Sequence, residues 1–138
     1  MQDNGPNPFV LNIEEATLEN ENFRTTAWTG NYLQMTLMTI QPGSEIGLEV
    51  HDDHDQFLRI EQGTARVEMG PTETDLQTWD AADDFAIFVP AGSWHNIINT
   101  GDEALKLYSI YAAPEHAHGT VHETKEIADE AEAAEHGQ

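Results

Sequence analysis

A glutamate and a histidine two residues apart in an extended-looking segment, Glu45-Ile-Gly-Leu-Glu-Val-His51, are the first residues whose types and spacing can do chemistry. Period-two alternation puts Ile46, Leu48 and Val50 on one face and Glu45, Gly47, Glu49 and His51 on the other. Neighbours two apart on a strand reach one ion, and Glu49-x-His51 offers the oxygen and nitrogen donors that zinc, iron, manganese, nickel or cobalt accept. On its own the pattern also describes a solvated edge strand, the commoner case in so acidic a chain. Further groups extend it: Asp52-Asp53-His54-Asp55-Gln56 follows at once, and another histidine stands in Pro90-Ala-Gly-Ser-Trp-His95-Asn-Ile-Ile-Asn99. A last histidine group, His116, His118 and His122, follows Pro114. With no cysteine, thiolate zinc sites, iron–sulfur clusters, disulfides and cysteine nucleophiles are excluded, so a bound metal must use nitrogen and oxygen ligands.

These residues need elements to hold them. From Asn31 to Tyr111 the chain reads as short β-patterned runs: Tyr32–Ile40, Glu45–His51, Phe57–Ile60, Thr64–Met69, Phe85–Val89, Trp94–Ile98 and Leu105–Tyr111. Turn signals separate them at Pro42-Gly43, Gln62-Gly63, Gly70-Pro71, Pro90-Ala-Gly92 and Asn99-Thr-Gly101-Asp102, a spacing that predicts an antiparallel sandwich or barrel. Residues 1–8, polar and carrying Pro6 and Pro8, read as a loose arm. The barrel is expected over 9–114. Residues 115–138 read as a histidine-containing connection and an acidic tail that forms either a short fraying helix from Glu123 onward or a disordered segment.

Together these stretches resemble the two motifs of the cupin superfamily, small double-stranded β-helix (jelly-roll) barrels. The first family motif runs G-x5-H-x-H-x3 or x4-E-x6-G and the second G-x5-P-x-G-x2-H-x3-N. Pro90, Gly92, His95 and Asn99 match the second, with Asp84 where its first glycine would stand. In the first, counting back from Gly63 puts Gln56 in the glutamate position, and His51 and Glu49 in the two histidine positions. The resemblance thus implies an all-β cupin fold and one divalent transition metal held by Glu49, His51, Gln56 and His95. A neutral Gln oxygen is a weaker ligand than Glu. His54 fits no ligand spacing and reads as an exposed loop histidine; its rival role as a ligand needs a tight corner at Asp52–Asp55.

The resemblance also implies a small-molecule ligand and a homodimer, and among cupins the pattern looks most like short stand-alone members labelled mannose-6-phosphate-isomerase-like. Two other classes remain open, an iron-dependent dioxygenase and a non-catalytic sugar-binding or structural barrel. Tyr108 and His118 are candidate proton carriers, against a packed strand tyrosine and a hydrogen-bonded connection as their plainer readings. His116, His118 and His122 can equally bind a second ion or fold over the pocket mouth.

The 138 residues, 38% of them apolar, allow one compact domain. Twenty-six acids against five bases give a charge of −21, which repels nucleic acid and anionic membrane surfaces. Before Glu115 there are still 19 acids against four bases, so the acidity is global and points to a halophilic host. No run approaches the roughly 20 apolar residues of a membrane span, and MQDNGPNPF lacks signal-peptide features, so a cytoplasmic location is expected.

Overall fold

The computed structural model describes residues 1–136. In chain order its elements are α1 (Ile13–Glu19), β1 (Arg24–Thr29), β2 (Gln34–Ile40), β3 (Asp55–Gln62), β4 (Thr64–Thr72), β5 (Asp75–Ala82), β6 (Ala86–Val89), β7 (Trp94–Asn99), β8 (Leu105–Ala112), β9 (Val121–His122) and α2 (Lys125–His136). Six strands form one antiparallel sheet in the order β6-β3-β8-β2-β1-β9, and three form a second in the order β5-β4-β7. This is the jelly-roll barrel that the motif resemblance implies, and it is antiparallel as the turn spacing predicts.

Strand alternation sorts the side chains. Along β8, Leu105 and Leu107 face the other sheet and join Met38, Ile40, Leu58, Ile60, Val67 and Ile97 in the interior. Each such burial contributes about 1.5–3 kcal/mol. Tyr108, one residue out of phase, lies on the outer face with Met35, Leu37 and Ala27, covered by Ile13 and Ala16 of α1. That helix starts at Asn12, whose side-chain oxygen accepts the Glu15 amide at 3.0 Å, a cap worth about 1 kcal/mol.

Several expectations are corrected. Glu45–His51 does not form a regular strand: only Glu45 and Glu49 bridge to β7, because Gly47 sits at φ +108° and breaks the extension between them. β1, β5 and β9 lie outside the β-patterned runs. β5 escapes because its residues are mostly exposed and polar. Residues 1–8 are tied to the barrel rather than loose, since the Asp3 carboxylate accepts from the Thr29 and Gly5 amides and the Thr29 hydroxyl. Of the two forms expected for the C-terminal tail, the helix is the one seen, capped by Thr124 and docked through Ala128. Asp84, in the place of the motif's first glycine, has φ +75°, a left-handed conformation that Asp tolerates better than most residues.

Candidate functional site

Glu49 and His95 are paired backbone to backbone: each amide donates to the other's carbonyl, at 3.0 and 2.9 Å, which sets their side chains side by side on the inner face. The His51 carbonyl accepts from the Gly92 amide at 2.8 Å, so the Pro90-x-Gly92 turn also anchors the first motif. Glu49 Oε1 then lies 3.4 Å from His51 Nε2 and 3.3 Å from His95 Nε2. Both imidazole nitrogens are buried and make no well-formed hydrogen bond. The Nδ1–H of His95 faces the Ser93 carbonyl at 3.2 Å, which leaves Nε2 with its lone pair toward Glu49.

A tetrahedral ion with bonds of roughly 2.0–2.1 Å holds its ligand atoms about 3.4 Å apart, the separation seen here from Glu49 Oε1 to each imidazole nitrogen, and all three donor atoms lie within 4.8 Å of one another. Glu49, His51 and His95 therefore form a donor set that fits a transition metal. Gln56 on β3 is 5% exposed; its amide donates to Ser109 Oγ at 2.8 Å and its carbonyl oxygen is buried without a partner.

The electrostatics follow from burial and pairing. Burial pushes the Glu49 carboxyl up, but hydrogen bonding and charge from His51 and His95 outweigh it and hold the group well below the usual carboxylate range. Burial pulls the His51 imidazole down, yet Glu49 first and Glu115 next raise it above its ordinary value.

His54 is not an exposed loop residue. It is 6% exposed, its ring stacks on His51 at 4.7 Å between centroids, and Nε2 has no hydrogen bond. The Asp52–Asp55 corner turns it inward against Tyr111, edge-on at 5.6 Å. Sequence reasoning missed Glu115, whose Oε1 lies 3.6 Å from both His51 Nδ1 and His54 Nε2 and completes a second donor group with them. Burial raises its carboxyl. No local signal marks Glu115; it arrives because the connection after β8 crosses the barrel mouth.

The three later histidines separate. His116 packs edge-on against Tyr111 at 5.4 Å, and burial, then the charge of Arg24, pushes its imidazole down to about 3. His118 Nε2 meets the Gly5 carbonyl at 2.8 Å and Asp3 at 3.4 Å, so it fastens the N-terminal segment and is not among the residues around Glu49. His122 Nδ1 pairs with Arg24 at 3.2 Å. Tyr108 faces α1 and packs near Phe57 at 6.2 Å, on the opposite face of β8 from the site. The tyrosine on the site face is Tyr111, 6.0 Å from His51 between ring centroids, its hydroxyl pushed up to about 12 by burial.

Comparison with known proteins agrees with this architecture. Residues 36–111 match the cupin domain family. YrkC of Bacillus subtilis (strain 168) is 56% identical over 133 residues, covering 96% of this chain and 72% of YrkC. A protein of Acanthamoeba polyphaga mimivirus is 37% identical over 114 residues, 82% of this chain and 70% of that one. The crystal structure of BH2720 from Bacillus halodurans superposes with a TM-score of 0.93 at 56% identity, covering 94% of this chain and 99% of that one. Bacillus subtilis oxalate decarboxylase, a protein with Mn(II) centres, shares the fold alone, with a TM-score of 0.58 at 23% identity over 63% of this chain and 23% of its own. A barrel that carries both motif histidines on its inner face, and a family match over residues 36–111, make this chain a member of the cupin family.

Proposed function

We propose that this cupin binds one divalent transition metal (zinc, iron, manganese, nickel or cobalt) through Glu49, His51, Gln56 and His95, and acts on a small oxygenated metabolite by isomerase-like proton transfer. The observation that carries the metal assignment is the pair of buried Nε2 atoms of His51 and His95 that converge on Glu49 Oε1 at 3.4 and 3.3 Å. A bound ion supplies Lewis acidity for substrate carbonyl and hydroxyl oxygens. The chain supplies the rest. Glu115, at the rim and raised by burial, is the group placed to take and return a proton. Tyr111 and His116 cover the histidines and restrict water.

A sugar phosphate is disfavoured by the charge pattern. Arg59, Arg66, Lys106 and Lys125 are each paired with a carboxylate, and Arg24 shares its cavity with Glu49, Glu115 and Glu132, which leaves the five bases little attraction for phosphate. An iron-dependent dioxygenase is the second reading, because two imidazoles and one carboxylate form a ligand set suited to non-haem iron. A homodimer in the cytoplasm completes the proposal, the exposed Phe85, Phe88 and Trp79 offering the apolar surface for self-association.

Elemental mass spectrometry on untagged protein purified without chelator tests this directly. About one equivalent in the wild type and little in His95→Ala is expected. Iron with oxygen-dependent turnover selects the dioxygenase, and another metal with oxygen-independent turnover selects the isomerase. Metal-free wild type that resists reloading refutes both.

A further inference from the structure

The two donor groups share one residue, and they share it through opposite atoms. His51 turns Nε2 to Glu49 at 3.4 Å and Nδ1 to Glu115 at 3.6 Å. On the Glu115 side stands His54, 6% exposed, its Nε2 lying 3.6 Å from the same Glu115 oxygen and making no hydrogen bond. The other nitrogen of that ring, Nδ1, lies 2.9 Å from Asp53 Oδ1, which draws the ring proton there and leaves the Nε2 lone pair bare. A carboxylate behind one nitrogen and an unused lone pair on the other is the arrangement of a metal-binding histidine. His51, His54 and Glu115 hold their donor atoms within 4.8 Å of one another, so they can close on one ion.

The two groups differ in their access to solvent. His95, at the inner end, has a side chain only 2% exposed. In the other group the Glu115 side chain is 27% exposed, and Asp53, which orients His54, is 91% exposed in a loop where Asp52 and Asp55 are exposed as well. Surface carboxylates of this kind raise the local concentration of cations. Glu49 and Glu115 also line one cavity of about 50 Å³ together with Glu132, so the way from one group to the other runs among three carboxylates, against the single guanidinium of Arg24. That volume admits an ion and a water or two, and no metabolite.

We infer that His51, His54 and Glu115 form a loading station, where a divalent metal ion is first captured and from which His51 passes it to Glu49 and His95. A neutral imidazole has one lone pair, so His51 serves one ion at a time and the two positions are alternatives. On transfer the ion leaves Nδ1 for Nε2 and the ring proton goes from Nε2 to Nδ1, so the charge of the ring does not change. Glu115 is then free of metal, as its part in proton transfer requires. The destination of the ion rests on the metal site proposed through Glu49, His51 and His95; the station does not.

The test loads the chelator-treated full chain with Co(II), whose visible absorption reports its ligands, by stopped flow and by equilibrium titration. Wild type should take up one Co(II) in a fast phase that depends on Co(II) concentration and a slower phase that does not, with a change of spectrum between them. His54→Gln should load about tenfold more slowly, and Asp53→Ala should load more slowly by a smaller factor, while equilibrium affinity stays within about twofold in both. Asp53 is exposed, so its variant keeps the fold. His95→Ala, in excess Co(II), should stop at the station: one ion, held at least about tenfold more weakly than in wild type and so lost on purification, with the spectrum of the fast phase, and absent when His54→Gln is added. Loading that neither His54→Gln nor Asp53→Ala slows, or two Co(II) bound at once by wild type, overturns the handover, and His95→Ala that binds no Co(II) in excess overturns the station. Wild-type affinity and spectrum in His95→Ala leave the station standing and refute the inner site instead.

Discussion

Replacing Gln56 by glutamate puts a charge where the family motif has one, and the structure fixes what must follow. The side chain is 5% exposed, with one end donating to Ser109 Oγ at 2.8 Å and a carbonyl oxygen that has no partner. In Gln56→Glu the Ser109 hydroxyl can reverse and donate to one carboxylate oxygen, and the other takes the place of the free carbonyl. Without metal, the variant gains a second buried carboxylate in the interior that already holds Glu49, and should lose about 1–3 kcal/mol of stability. With metal, a full charge replaces an amide dipole. At an effective dielectric near 20, unit charges 4 Å apart interact by about 4 kcal/mol, and desolvation offsets part of it. A net gain of about 1.4–2.8 kcal/mol is then a tenfold to hundredfold tighter metal. Chelator competition gives the affinity, and thermal melts with and without metal give the two stabilities. The expected signature is a crossing, with the metal-free variant melting below wild type and the loaded variant above it. Metal affinity that stays level or weakens in Gln56→Glu refutes the assignment of Gln56 to the ligand set.

His51→Ala and His95→Ala should each reduce bound metal from about one equivalent to near zero, whereas His54→Ala should retain it; loss of metal in His54→Ala would move the ion toward the His51–His54–Glu115 group. The metal-free protein should be most stable near pH 6.5, because His116 is held neutral down to about 3, so the unfolded chain binds the extra proton below 6.5 and stability falls as pH falls, at up to about 1.4 kcal/mol per unit. Above 6.5 the sign reverses: His51 is raised, the folded state keeps the proton, and its contribution is lost as pH rises through that higher value. Melting followed against pH checks both limbs, and Glu49→Gln should flatten the alkaline one by removing the main cause of the His51 shift. The charge of −21 predicts that melting temperature rises between tenth-molar and molar salt as the Debye length shrinks from about 10 Å to about 3 Å; an unchanged midpoint refutes surface adaptation to salt.

The parts of the site legible in the sequence are those whose geometry is local. Pro90-x-Gly92 makes a turn, and the turn alone decides where His95 enters β7; Glu49 and His51 share a face because they are two apart, even though Gly47 interrupts the strand before them. Asp84 was legible as a glycine substitute because the left-handed turn before β6 constrains one residue. His54 was not, since three neighbouring aspartates make its segment look solvated. What turns the ring inward is Tyr111, 57 residues further on, with His51 stacked on its other side. Glu115 and Arg24 were invisible for the same reason. Each reaches the site through a long-range crossing, one over the barrel mouth and one through the pairing of β1 with β9, and neither leaves a periodicity behind.

The substitution of Glu49 for a motif histidine has a physical consequence that unites these features. Three imidazoles facing one another have no reason to converge until an ion arrives, and protonation drives them apart. A carboxylate between two imidazoles attracts both, so Glu49 gathers His51 and His95 into place without metal, as its depressed carboxyl and the raised His51 record. Preorganisation of this kind lowers the ordering cost of binding, and it makes a proton on His51 the competitor that the metal must displace. The carboxylate also moves the local charge balance one unit negative, which a loaded site tolerates and an incoming anionic substrate does not.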